Sequence, residues 1–227
     1  AGAGRVSRRR LSPIASDRFG YEGTLTLFDP PARLDRIELS QTFADRPSAM
    51  RRFVEETKLP TFLNGMGRGQ LRFDDPQFMN RSRKDAMSRC DVFVLAGSPL
   101  DFRLRFGKAI PANAKIVQLD MENTLIGQNR SADAAIVGNL GVAFEQMLQI
   151  MKEESLRLDF TAWRDELRAI EVKIEAGFQK ELSSDEVPID PLRMCREIRD
   201  FIDEDTILIG DGGDIVAQAA KVVPVMK

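Results

Sequence analysis

Short apolar runs, each closed by a loop signal and spaced by helix-length sequence, limit this chain to a narrow set of folds. Thr61-Phe62-Leu63 runs into the glycine-rich Asn64-Gly65-Met66-Gly67-Arg68-Gly69. Residues 91–96 end at Gly97-Ser98-Pro99, and further runs occupy residues 115–120 and 134–138. Each is short and largely continuous in apolar character, as expected of a strand covered on both faces. Residues 50–57, closed by Leu59-Pro60, and residues 82–89 read as helices. Strands alternating with helices imply an α/β fold with a parallel, Rossmann-like sheet, whose crossovers are right-handed.

The flanks differ from this middle. Residues 1–45 carry arginine but no lysine, Lys58 being the first, and show neither helical nor strand period over a useful length. They read as a disordered or non-native leader, such as an out-of-frame translation; an arginine-rich targeting peptide is the rival reading. Downstream, Phe160, Trp163, Leu167, Ile170, Ile174 and Phe178 recur every three or four residues, one apolar stripe that packs a helix on its own domain. Residues 183–190 read as a linker, and Pro191 opens a new helix. Thr206-Ile207-Leu208-Ile209 reads as a strand, ending in Gly210-Asp211-Gly212-Gly213-Asp214 before a further helix. The expected organisation is a leader (1–45), a central domain (46–182), a linker (183–190) and the start of an incomplete second α/β domain (191–227).

Composition closes several routes. The chain holds no histidine, which removes imidazole acid–base chemistry and histidine metal sites. Cys90 and Cys195 are the only cysteines, too few for a disulfide framework or a cysteine zinc site, and read as packing residues. A formal net charge of -2 gives no overall pull towards nucleic acid or an anionic membrane. No apolar run is long enough for a membrane span, and a soluble, cytoplasmic protein is expected.

In parallel sheets ligands bind beyond the carboxyl ends of the strands. Four places qualify: the loop 64–69; the loop 97–103 with Ser98, Asp101 and Arg103; Asp120 at the end of its strand; and Asn139-Leu140. Asp120 stands where a carboxylate usually accepts from ribose hydroxyls. Taken singly each could be a mere turn; together they suggest a nucleotide cleft. Gly210 to Asp214 is either a nest for a diphosphate or a tight strand-to-helix turn.

The segments Leu59-Pro60-Thr61-Phe62-Leu63-Asn64-Gly65-Met66-Gly67-Arg68-Gly69, Gly97-Ser98-Pro99-Leu100-Asp101-Phe102-Arg103, Ile116-Val117-Gln118-Leu119-Asp120 and Ile136-Val137-Gly138-Asn139-Leu140 resemble the central domain of acetolactate-synthase-like thiamine-diphosphate enzymes. The resemblance runs from about Ser48 to the C-terminus. It implies an NAD/FAD-binding type of central domain, with Asn64, Gly65, Gly97, Ser98, Pro99, Asp101, Arg103, Asp120 and Met121 lining a flavin or ADP site. Asn139 stands where an acidic residue is usual; relatives bind FAD, ADP or nothing there. Gly212, Gly213 and Asp214 match the first diphosphate-contacting turn of the C-terminal domain. The family's catalytic glutamate and its magnesium motif have no counterpart here, so no catalytic or metal residue is assigned. The intact enzyme would use thiamine diphosphate and magnesium on a 2-oxo acid, as a dimer or tetramer. This chain alone is expected to be inactive. The alternatives are a free-standing nucleotide-binding module and, disfavoured by the lack of histidine, an NAD-dependent enzyme or deacylase.

Overall fold

The strand pattern becomes a sheet through its two differently clothed faces. The computed structural model describes residues 7–10, 24–27, 37–41, 47–203, 205–211 and 213–224, with backbone alone before Ser48 and at Met66. In chain order the strands are β1 (Ser7–Arg10), β2 (Thr24–Leu27), β3 (Ile37–Gln41), β4 (Thr61–Leu63), β5 (Phe78–Met79), β6 (Val92–Ala96), β7 (Lys115–Asp120) and β8 (Ala134–Val137). The helices are α1 (Pro47–Thr57), α2 (Arg83–Arg89), α3 (Leu140–Glu153), α4 (Thr161–Gly177), α5 (Gln179–Leu182), α6 (Pro191–Phe201) and α7 (Gly213–Val222).

β1 and β2 form an antiparallel pair of their own. The main sheet runs in the order β5-β4-β3-β6-β7-β8, and every neighbouring pair is parallel. All the carboxyl ends therefore lie on one edge. The order extends outward from β3 in one direction and from β6 in the other, which makes the β3/β6 boundary the point where the winding reverses. That is where doubly wound sheets open a crevice.

Side-chain alternation places the helices. Along β6, Val92, Val94 and Ala96 join a cluster with Met50, Phe53 and Val54 of α1 and Phe144 and Leu148 of α3. Phe93 and Leu95 point the other way, to Met87 and Cys90 and to the loop residues Leu100, Leu104 and Ile110. Five consecutive buried residues thus serve two cores at once, which explains the continuous apolar run. The stripe read on α4 packs on its own sheet: Trp163 and Leu167 meet Phe62, Met79 and Ala86. Leu182, Leu192, Cys195, Val222 and Val223 form a small separate cluster linking α5, α6 and α7. Both cysteines are free and buried, as packing residues should be.

Several elements depart from the sequence pattern: β1, β2 and β3 all fall within residues 1–45, which read as a leader without strand period, β5 has no counterpart in that reading, and residues 206–209 read as a strand. β3, at the middle of the sheet, comes from residues 37–41, upstream of residue 46 where the pattern starts the domain. Its Ile-Glu-Leu-Ser-Gln run carries little apolar signal, and the strand is defined by ladders to β4 and β6 on its two sides. Residues 206–209 form no strand. Without a neighbouring strand to accept its hydrogen bonds, the segment is open, with Ile207 and Ile209 each 86% exposed.

Candidate functional site at the carboxyl edge of the sheet

The parallel register brings the loops after β4, β6, β7 and β8 to one edge, so the residues read as site candidates share it through Asn139. After β4, Asn64 is buried and its Oδ1 accepts from Arg83 at the start of α2. Gly65 has φ +46°, so the chain turns there in the left-handed region that glycine occupies without a Cβ clash.

After β6, Gly97 (φ +58°) donates its N–H to Leu119 O at 2.8 Å, which holds the two loop roots side by side. Ser98 is buried and Pro99 half-buried. Asp101 accepts from Arg103 N at 2.9 Å and pairs with the Arg103 guanidinium at 2.6 Å. The Arg103 hydrogen bonds hold the Asp101 carboxyl below its ordinary range, and the same pairing raises the pKa of Arg103. Arg103 is thus anchored by its partner while keeping exposed surface.

Asp120, at the end of β7, is 6% exposed. Its Oδ1 accepts from Glu122 N at 3.0 Å, whereas Oδ2 is buried with no hydrogen-bond partner among the described residues. Burial pushes the Asp120 carboxyl up from its ordinary value, opposed by backbone donors at Glu122 and Met121. A buried acceptor without a donor calls for an explanation such as strain, water, an ion or a ligand; Asp120 Oδ2 is one of seven buried side-chain polar atoms in that state among the described residues and the one at the end of β7. Met121 beside it is 56% exposed.

Asn139 has a local task. Its Oδ1 accepts from Val142 N at 2.9 Å, capping the first turn of α3. Gly138 before it has φ +153° and open space where a Cβ would stand. Gly213 (φ +69°) and Asp214 form the exposed first turn of α7, away from the residues grouped above in sequence and element. Gly212 lies outside the described residues.

Several supporting residues carry no motif and escape a reading of the sequence. Gln118, 1% exposed, donates Nε2 to Leu125 O at 2.8 Å and accepts from Gly127 N at 2.9 Å, fixing the turn after β7. Asn129 donates Nδ2 to Leu100 O at 3.0 Å, tying that turn to the loop after β6. Arg130 reaches Ile110 O at 2.8 Å. No cluster of three potential metal-ligating side chains occurs among the described residues. No described helix is long and apolar enough to cross a membrane.

The parallel sheet order and the helices on its faces define a Rossmann-like α/β domain. Comparison with known proteins narrows this. Residues 42–147 match the model for the central domain of thiamine pyrophosphate enzymes. The chain is 31% identical over 175 residues to 2-hydroxyacyl-CoA lyase 2 of Bos taurus, covering 75% of this chain and 27% of that protein. Its identity to 2-hydroxyacyl-CoA lyase 2 of Caenorhabditis elegans is 29% over 184 residues, 78% of this chain and 29% of the relative. An acetolactate synthase large subunit of Mycobacterium tuberculosis is 27% identical over 176 residues, 78% of this chain and 31% of the relative. The protein carries a thiamine pyrophosphate enzyme central domain, and it spans less than a third of the length of these relatives.

Proposed function

We propose that these residues form the central part of a thiamine-diphosphate enzyme that decarboxylates a 2-oxo acid and ligates the product, as acetolactate synthases do, and that the carboxyl edge of the sheet holds the ADP portion of a nucleotide, FAD or free ADP. The observation that supports the nucleotide reading is Asp120 Oδ2, a buried acceptor at the end of β7 without a donor. A ribose hydroxyl would satisfy it, with Gly97 and Gly138 leaving the backbone open to close approach. The donor set fits: Asp120 for ribose, Ser98 and Arg103 for the polar and anionic parts, and exposed Met121 for the base. Asn139 contributes its position at the head of α3, because its side-chain oxygen is already engaged.

Thiamine diphosphate, when bound, supplies carbanion chemistry that side chains cannot. The described residues that would meet it, Gly213 and Asp214, are exposed and form no enclosed cradle for that group. The chain's own contribution is to position a nucleotide and to carry the first turn of α7. The pure chain is therefore expected to give no acetolactate from pyruvate. Two relatives named as 2-hydroxyacyl-CoA lyases leave aldehyde or acyl-CoA chemistry as the alternative carboligation or cleavage. We further propose a cytoplasmic homo-oligomer for the intact enzyme; the two free buried cysteines suit a reducing compartment.

Calorimetric titration of the chain with ADP and with FAD tests the nucleotide reading. Binding that Asp120→Ala weakens by about tenfold, the worth of a hydrogen bond to a charged group, supports it. Equal binding by both forms, or none, overturns it. A stand-alone nucleotide-binding module gives the same titration, and only an assay of the full-length protein with pyruvate and thiamine diphosphate separates the two.

A further inference from the structure

The C-terminal end of α7 has part of its backbone served by a loop far away in sequence. Val223 N donates to Ala219 O at 2.7 Å, but Pro224 follows and has no N–H to give Ala220 O the next helical bond. Asn80 Nδ2 takes that place, donating to Ala220 O at 2.7 Å, and the Arg81 guanidinium donates to Lys221 O. Two carbonyls of a helix end, ordinarily left to water or to a local cap, are thus satisfied by side chains 140 positions upstream.

Both donors are held from behind by α4. One oxygen of Glu171 accepts the backbone N–H groups of Asn80, Arg81 and Ser82, and the other lies 3.6 Å from the Arg81 guanidinium. The Arg81 and Glu171 side chains are only 8% and 4% exposed. A buried polar network of this kind fixes its members in one geometry. Packing contributes little to the same junction among the described residues. The apolar side of α7 joins a cluster with Leu182, Leu192 and Cys195, in which Phe178 alone precedes residue 182. Towards the sheet, a basic cavity of about 480 Å³ stands between α7 and α2. Arg68, Arg83, Lys84, Arg103 and Arg105 line its central side and Lys221 its α7 side. Like charges facing across a gap repel, so the cavity does not draw the helix inward.

We propose that Asn80 and Arg81, set by Glu171, form a clasp that holds the unit of α5, α6 and α7 closed on the central domain. Releasing the clasp lets this unit move about the α4–α5 junction at Phe178 while both cores stay folded. α7 is a ten-residue helix, about 15 Å long, so a clasp at its C-terminus also fixes where its first turn, Gly213 and Asp214, stands. The inference rests on these contacts and is independent of the nucleotide reading.

Hydrogen–deuterium exchange of the full chain, read by mass spectrometry, tests the clasp. Asn80→Ala removes one donor and leaves the backbone N–H of that residue on Glu171; Arg81→Gln removes the other. Asn80→Ala is expected to speed exchange of the α7 amides about fivefold and Arg81→Gln about tenfold, as loss of a neutral and of a charge-assisted hydrogen bond does. The β6 and β7 amides should keep their wild-type rates. Adding Pro224→Ala to Asn80→Ala supplies the N–H that Ala220 O lacks and should restore most of the α7 protection, a rescue that only a capping role predicts. If Arg81→Gln lacks native circular dichroism, the Asn80→Ala pair decides alone. Exchange of α7 unchanged from wild type, exchange rising equally in β6 and β7, or no rescue by Pro224→Ala overturns the proposal.

Discussion

One carboxylate oxygen organises the junction between the β5–α2 loop and α4. Glu171 Oε1 accepts from Asn80 N at 3.0 Å, Arg81 N at 2.5 Å, Ser82 N at 2.6 Å and Ser82 Oγ at 2.8 Å, and Glu171 is 3% exposed. These backbone donors lie just before α2, so a residue some ninety positions away in sequence fixes the entry to that helix against α4. Glu171→Ala would strand them and leave Arg81 with only the more exposed Glu175 as an ion-pair partner. The expected cost is about 3–5 kcal/mol in urea denaturation, the range for breaking a buried charged pair; a cost below about 1 kcal/mol would mean that water replaces the carboxylate. Asp120 works in the opposite direction. Its folded pKa is raised by burial, so the native state binds the proton more tightly than the unfolded chain. Stability contributed by this group is therefore lost as pH rises from the ordinary carboxylate value, about 3.9, through the raised native value. Asp120→Asn removes that titration, and its unfolding free energy should fall less steeply across that window than the wild type's. Parallel pH profiles for the two proteins would refute the assignment.

At the scale of elements, β4, β6, β7 and β8 were legible and β1, β2, β3 and β5 were not. β6 and β7 announce themselves because burial on both faces demands unbroken apolar sequence. The α4 stripe announces its packing face for the same reason. β5 has two residues and β3 a mixed composition, so neither yields a periodic signal, and pairing with neighbours alone defines them. Among the candidate residues, the placement of Asn64, Gly97 and Asp120 at the carboxyl edge was readable from their positions after strands. The basic cavity was not, because its cations come from α2, α7 and three loops that adjoin only in the fold. The 102–107 turn shows how such a feature is built. Leu104, 2% exposed, is buried with Leu100 and Ile110, while Arg105 beyond it takes the left-handed conformation. Leu104→Ala should cost about 2–5 kcal/mol through lost packing. Arg105→Gly should lie within about 1 kcal/mol of wild type, because relief of the left-handed strain offsets the greater unfolded-state freedom of glycine. Chemical denaturation of both variants checks this: an Arg105→Gly protein as unstable as Leu104→Ala would show that the arginine side chain, rather than its neighbour, holds the turn.

At the scale of the whole molecule, similar β-forming character gives opposite outcomes at the centre of the sheet and in residues 206–209. Val92 to Ala96 is flanked by strands on both sides and buried throughout. Thr206-Ile207-Leu208-Ile209 has comparable β-forming character but no neighbouring strand, and Ile207, Leu208 and Ile209 are 86%, 48% and 86% exposed. The matched stretch is less than a third of each relative's length, which gives such a segment room for intramolecular partners in proteins of that size. In the chain by itself the free backbone groups and apolar side chains form a template for pairing with another copy. Self-association that grows with concentration is therefore expected in sedimentation velocity. Ile207→Lys with Ile209→Lys should suppress it by charge repulsion at the open edge. The thermal midpoint should stay unchanged, because neither side chain is buried in a described core. Association that persists in the double variant would locate the contact elsewhere, with Phe201, 90% exposed at the end of α6, the next surface to substitute. Monomeric behaviour of the unsubstituted chain at every concentration would show instead that the segment finds cover within its own molecule.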